Sequence, residues 1–153
     1  MSLDNEIMRY GAKGANLKYI KENAPQIPIE PFILVSTTEN WKNYQNQITD
    51  LGDCLVRSSS PIEDGKDLSF AGLFDTNKFY DSCSVENVLD SINSEDAKQY
   101  ARNHNVVIPK EMGLVFQKES KSNWNWGMLR HPHQENLIFI MGRDKKASRY
   151  SKF

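Results

Sequence analysis

Two basic side chains stand in settings that suit a phosphate. Arg57 follows the apolar run Cys54-Leu-Val56, a pattern that predicts a short buried strand with the arginine at its end. Three serines come next, then the acidic pair Glu63 and Asp64, then a small-residue loop around Ala71 and Gly72. A guanidinium beside hydroxyls and a glycine turn with open N–H groups can hold a phosphate. The same residues also fit a plain turn, Ser58-Ser-Ser-Pro61, with Arg57 paired to a nearby carboxylate. Earlier in the chain, Gly11-Ala-Lys-Gly14 sets glycines on both sides of Lys13, ahead of a helical stretch to about Asn23. A lysine at a helix entrance can reach an anion that the helix's first N–H groups also attract. A solvated surface lysine is the plainer alternative. The spacing is not that of a P-loop, which requires Gly-x-x-x-x-Gly-Lys-Ser/Thr.

The elements around these residues follow from hydrophobic period and breakers. Pro25, Pro28 and Pro31 mark a loop, and Phe32-Ile-Leu-Val35 reads as a buried strand. Ser36 and Glu39 form a capping box for a helix carrying Trp41, Tyr44 and Ile48, a stripe that belongs to a core. A short strand is expected near Phe74 to Tyr80. Ser84 caps a helix with Val85, Val88, Leu89 and Ile92 on one face, and Ser94 caps another through Ala97, Tyr100 and Ala101. Met112 to Lys118 reads as a strand, as do Trp126 to Leu129 and its antiparallel partner Asn136 to Met141. This order predicts an α+β fold, a mixed or antiparallel sheet with flanking helices, rather than a doubly wound sheet. Residues 1–142 are expected as one domain. Residues 143–153 form a basic polar tail, either frayed or marking where a longer protein has been cut.

Composition narrows the function. The chain has 153 residues, 39% hydrophobic and 25% charged, enough to bury a core. A net charge of −1 gives no general attraction to nucleic acid or to an anionic membrane. No apolar run approaches membrane-spanning length and no signal-peptide pattern opens the chain, so a cytoplasmic protein is expected. Cys54 and Cys83 lie in unrelated contexts, which favours reduced thiols. His131 and His133 flank a proline at a hairpin tip. Two histidines fall short of the three or four ligands of a zinc site, so no protein metal site is expected.

Four segments, in order, resemble the N-terminal ATP-grasp-like nucleotide-binding domain of the phosphoenolpyruvate synthase and pyruvate phosphate dikinase family. Gly11-Ala-Lys-Gly-Ala-Asn-Leu17 resembles that family's opening Gly-Gly-Lys-Gly-Ala-Asn-Leu. Ile27-Pro-Ile-Glu-Pro-Phe-Ile-Leu-Val-Ser-Thr-Thr38 resembles its proline-rich lead into a strand. Val56-Arg-Ser-Ser-Ser-Pro-Ile-Glu-Asp64, with Ser69-Phe-Ala-Gly72 and Asp75-Thr76, resembles Val-Arg-Ser-Ser-x-x-x-Glu-Asp followed by Ser-Phe-Ala-Gly. Leu114-Val-Phe-Gln117 resembles the strand that leads to the adenine hinge.

The resemblance implies the ATP-binding front of a dikinase-type phosphotransferase. Arg57 would be the catalytic clamp on the phosphates, with Lys13 beside it. Ser69, Ala71 and Gly72 would close over the nucleotide, and Gln117, Lys118 and Glu119 would meet adenine. Magnesium would come with ATP, held mostly by water and nucleotide, because Asp144 is the one carboxylate in the region where the family supplies metal ligands. The partner would be a phosphohistidine domain, which these residues do not contain, so a dikinase cycle would need further domains. Two departures stand out. Ala12 replaces a family glycine, and Gly127-Met-Leu-Arg-His-Pro132 lacks the family's threonine. A non-catalytic relative serving as a binding or regulatory module is the alternative.

Overall fold

A computed structural model describes residues 2–62, 75–109, 111–121, 125–130 and 137–142. The chain divides into two compact units, Met1–Glu119 and Ser120–Phe153. In the first, helix α1 (Leu3–Asn23) precedes strand β1 (Phe32–Ser36), a 3-10 turn (Trp41–Tyr44) and helix α2 (Gln45–Asp50). Strands β2 (Cys54–Ser59) and β3 (Thr76–Lys78), helices α3 (Ser82–Ile92) and α4 (Glu95–Asn103), and strand β4 (Gly113–Lys118) follow. The four strands form one sheet in the order β1-β4-β2-β3, every neighbouring pair antiparallel. The coarse α+β class is as expected. In the second unit, β5 (Asn125–Arg130) pairs antiparallel with β6 (Leu137–Gly142), Trp126 opposite Met141.

The pleat divides the first unit's sheet into unlike faces. On one face Val35, Cys54, Val56, Leu114 and Phe116 pack with Ile48 of α2 and with Val85 and Val88 of α3, all buried. Trp41, Phe79 and Phe116 meet there, Phe79 standing edge-on to Phe116 at 5.5 Å and 85° and to Trp41 at 5.9 Å and 82°. Such pairs add to the area they bury because ring edge and ring face carry opposite partial charge. A smaller cluster sets Ala97 and Ala101 of α4 against Met112. Helix α1 contacts β1, β2 and β4. It approaches β2 through Ser59, which the pleat places on the face opposite Val56.

Several boundaries move for identifiable reasons. Residues 3–10 are helical, ahead of the stretch that the sequence marks as a helix, and α1 is two helical segments joined at Gly11, whose φ of 70° and ψ of 169° are non-helical. Glu39 does reach back to the Ser36 N–H (3.1 Å), as a capping box requires, yet the helical turn starts later, capped by Asn40, whose side chain accepts from the Lys42 N–H. Asp81, not Ser84, caps α3; the Ser84 hydroxyl instead accepts from the Tyr80 N–H. Ser94 caps α4 as expected, accepting from the Ala97 N–H.

Candidate functional site

Arg57 lies inside β2 rather than at its end. The strand continues through Ser58 and Ser59 because these hydroxyl residues, and Ser60 after them, are buried rather than solvated as in a turn. Alternation places Leu55, Arg57 and Ser59 together on the α1 face, with Cys54, Val56 and Ser58 opposite. Gln117 of β4 registers against Leu55, one pleat repeat from Arg57, and its Oε1 accepts from Arg57 Nη1 at 3.2 Å. Arg57 is therefore held by a neutral amide on the neighbouring strand. That partner orients the guanidinium without cancelling its charge.

Lys13 sits, half-buried, in the first turn after the Gly11 kink. The kink bears directly on the strand that carries Arg57. The Ala12 N–H donates to the Ser60 carbonyl at 3.2 Å, and the Gly14 N–H donates to Ser59 Oγ at 2.9 Å. Ser59 and Ser60 thus cap the second helical segment from a distant part of the chain, satisfying N–H groups that have no partner within the helix. Gly11 is required twice over. Its backbone lies in a region essentially reserved for glycine, and an added Cβ would stand 1.9 Å from the Ser59 carbonyl oxygen. Gly113, at the start of β4, lets the same segment approach: a Cβ there would stand 2.0 Å from the Tyr10 carbonyl oxygen.

The other expected residues fall as follows. Lys118 is exposed, and alternation puts it on the opposite face from Gln117. Its N–H donates to the Pro31 carbonyl at 2.9 Å, while the Glu119 N–H donates to the Asp53 carbonyl at 2.8 Å. The Glu119 carboxylate pairs with Lys78 at 3.0 Å, and this hydrogen bond raises the Lys78 pKa. The Lys118 and Glu119 N–H groups, on which a hinge contact would draw, are thus engaged internally. Ser69, Ala71 and Gly72 lie outside the described residues, as do Asp144, His131 and His133. Among the described residues, no group of three or more His, Cys, Asp or Glu side chains could hold a metal ion. No described helix is long and apolar enough to cross a membrane. Cys54 is buried and Cys83 exposed, and both are free thiols.

Two contributors escaped the sequence reading. Ser59 acts as a cap for a helix that precedes it by 45 residues, and Gly113 as the gap beneath Tyr10. The three-serine run held a hint of the first; nothing local marks the second. A comparison of the chain with family models, curated proteins and solved structures finds no match.

Proposed function

We propose that the first unit is a nucleotide-phosphate clamp, the ATP-binding front of a phosphotransferase of the phosphoenolpyruvate synthase and pyruvate phosphate dikinase type. The observation that carries this reading is the docking of the Lys13 turn on Ser59 and Ser60, two and three residues after Arg57. Two basic residues far apart in sequence belong to segments in mutual contact. Arg57 would take phosphate oxygens with the N–H donors that Gln117 leaves open, a charged acceptor being a stronger hydrogen-bond partner than a neutral one. Lys13 would supply a second positive charge. Together they would stabilise charge spreading over the phosphoryl oxygens during transfer. Gln117 would orient Arg57 from beneath, and the Ser69 to Gly72 loop would close over the nucleotide. Magnesium would arrive with the ATP, held largely by water and nucleotide oxygens, and would supply further positive charge there. Onward transfer would need a phosphohistidine domain as partner. The free thiols Cys54 and Cys83 accord with the cytoplasmic setting proposed for it.

Calorimetric titration with MgATP, MgADP and AMP tests the reading. Saturable binding that weakens as phosphates are removed is expected; a folded chain that binds none of the three excludes it. A second reading, a non-catalytic binding module of the same ancestry, draws on one observation. The Ala12, Gly14, Lys118 and Glu119 N–H groups are all engaged internally, leaving binding to side chains. It predicts nucleotide binding without magnesium-dependent phosphate release.

A further inference from the structure

Strand β1 is an edge of the four-stranded sheet, with β4 as its one described neighbour. The Lys118 N–H donates to the Pro31 carbonyl and the Thr37 N–H to the Met112 carbonyl, both at 2.9 Å. Antiparallel pairing alternates, so Ile33 and Val35 turn their N–H and C=O groups toward β4, while Phe32, Leu34 and Ser36 turn theirs outward. The Ser36 N–H is taken by Glu39 Oε2 at 3.1 Å, which closes one end of the edge. Among the described residues, none bonds the outward groups of Phe32 and Leu34. The exposed stretch Phe-Ile-Leu-Val carries no charge, proline or bulge, the devices that keep an edge strand from pairing.

A cleft of about 460 Å³ lies beside this edge, lined by Tyr10, Lys18, Lys21 and Glu22 of α1 and by Phe32 and Leu34. Lys18 is matched by Glu6 at 2.6 Å, and Lys21 Nζ lies 5.1 Å from the centre of the Phe32 ring. The charges left at the rim, Lys21 and Glu22, cancel. Such a rim favours neither an acidic nor a basic partner, but it complements a surface that carries the same two signs. We propose that β1 is a two-fold interface between two copies of this chain, the strands pairing antiparallel about Ile33. That centre sets Phe32 opposite the partner's Leu34, and Leu34 opposite the partner's Phe32. Both pairs exchange their N–H and C=O groups, so every outward group of the two residues is satisfied. A centre at Leu34 would instead need the Ser36 N–H, which Glu39 holds. Phe32 and Leu34 share the α1 face, so each copy lays these side chains into the other's cleft, beside Tyr10. The interface uses neither Lys13 nor Arg57 and does not rest on the phosphate clamp.

Sedimentation velocity under reducing conditions, from about 10 µM to about 1 mM chain, tests the association itself. A monomer that passes to a dimer across this range is expected. Disulfide trapping tests the register. The two copies of residue 33 face each other as a non-hydrogen-bonded pair, with Cα atoms about 4.5 Å apart, within disulfide reach. In a Cys83→Ser background, Ile33→Cys should link with glutathione disulfide at least about tenfold faster than Phe32→Cys, whose two copies stand beyond that reach. Phe32→Pro removes an outward donor and leaves the ladder to β4 whole, so it should weaken the dimer at least about tenfold. Circular dichroism checks that each variant is folded. A chain that stays monomeric throughout the range overturns the proposal. So does a dimer in which Ile33→Cys links no faster than Phe32→Cys, or one that Phe32→Pro leaves unchanged.

Discussion

The two faces of the four-stranded sheet are built on different physics. One is dry and filled by side chains: Val35, Val56, Val85, Val88 and Phe116 interlock, with Phe79 and Trp41 at their rim. The other is joined to α1 by backbone approach, through Gly11 and Gly14 on Ser59 and through Tyr10 on Gly113. The first face draws its stability from area removed from water, a non-directional force that tolerates exchange of one apolar residue for another. The second depends on donors, acceptors and absent Cβ atoms at set positions, which tolerate almost no exchange. What that intolerance secures is the position of Lys13 relative to the strand bearing Arg57. A core makes a domain; the close-fitted face makes a candidate site.

Substitutions on the two faces should therefore fail differently. The largest effect is expected at Phe116→Ala, where loss of a buried ring costs about 3–5 kcal/mol and lowers the denaturation midpoint of the whole first unit. Gly11→Ala should come next. Glycine-only backbone angles alone cost about 1–3 kcal/mol for another residue, before the overlap with Ser59 is relieved. Hydrogen exchange should show the loss concentrated in α1, with β2 and β4 still protected; uniform loss of protection would erase the distinction between the faces. Ser59→Ala leaves the Gly14 N–H without its acceptor in a buried setting, a cost of about 1–3 kcal/mol again localised to α1. Ser59→Thr, which keeps the hydroxyl, should lose less if the larger side chain fits.

A smaller effect is expected from acid. The Ser36 N–H bond, foremost, then Tyr44 and Arg9, holds the Glu39 carboxyl below its ordinary value of 4.5. A depressed pKa means that the stabilisation is present above pH 4.5 and is lost as pH falls through the lower folded value. The Glu39 side chain is 29% exposed, so screening by solvent limits its share to about a few tenths of a kcal/mol. Denaturant midpoints of wild type and Glu39→Gln should differ slightly at neutral pH and converge in acid. A gap that persists in acid would contradict the assignment.

The comparison of faces also explains what the sequence could show. The apolar face was legible: the Phe32 to Val35 strand, the Met112 to Lys118 strand and the Val85 and Val88 stripe depend on local hydrophobic period, and they form as expected. The α1 face was not. Ser58 and Ser59 look like turn residues, and they extend β2 because a segment 45 residues earlier supplies an N–H donor for the Ser59 hydroxyl. Residues 3–10 lack a clean apolar stripe because Glu6 takes an inward position, made tolerable by Lys18. Of the candidate site, Lys13 and Arg57 were identifiable from residue type and setting. The Gln117 contact to Arg57 needed the strand register, which no local pattern encodes.

The claim that Lys13 and Arg57 act as one clamp is tested most directly by a double-mutant cycle on MgATP affinity. Wild type, Lys13→Ala, Arg57→Ala and the double variant would be titrated by calorimetry, each with its fold checked. Both sites lie outside the apolar core, so stability should change little. Each single change should weaken binding at least tenfold, about 1.4 kcal/mol. The double variant should fall short of the sum of the two losses, as residues that share one ligand group do. Wild-type affinity in Arg57→Ala, or strictly additive losses, would contradict the account.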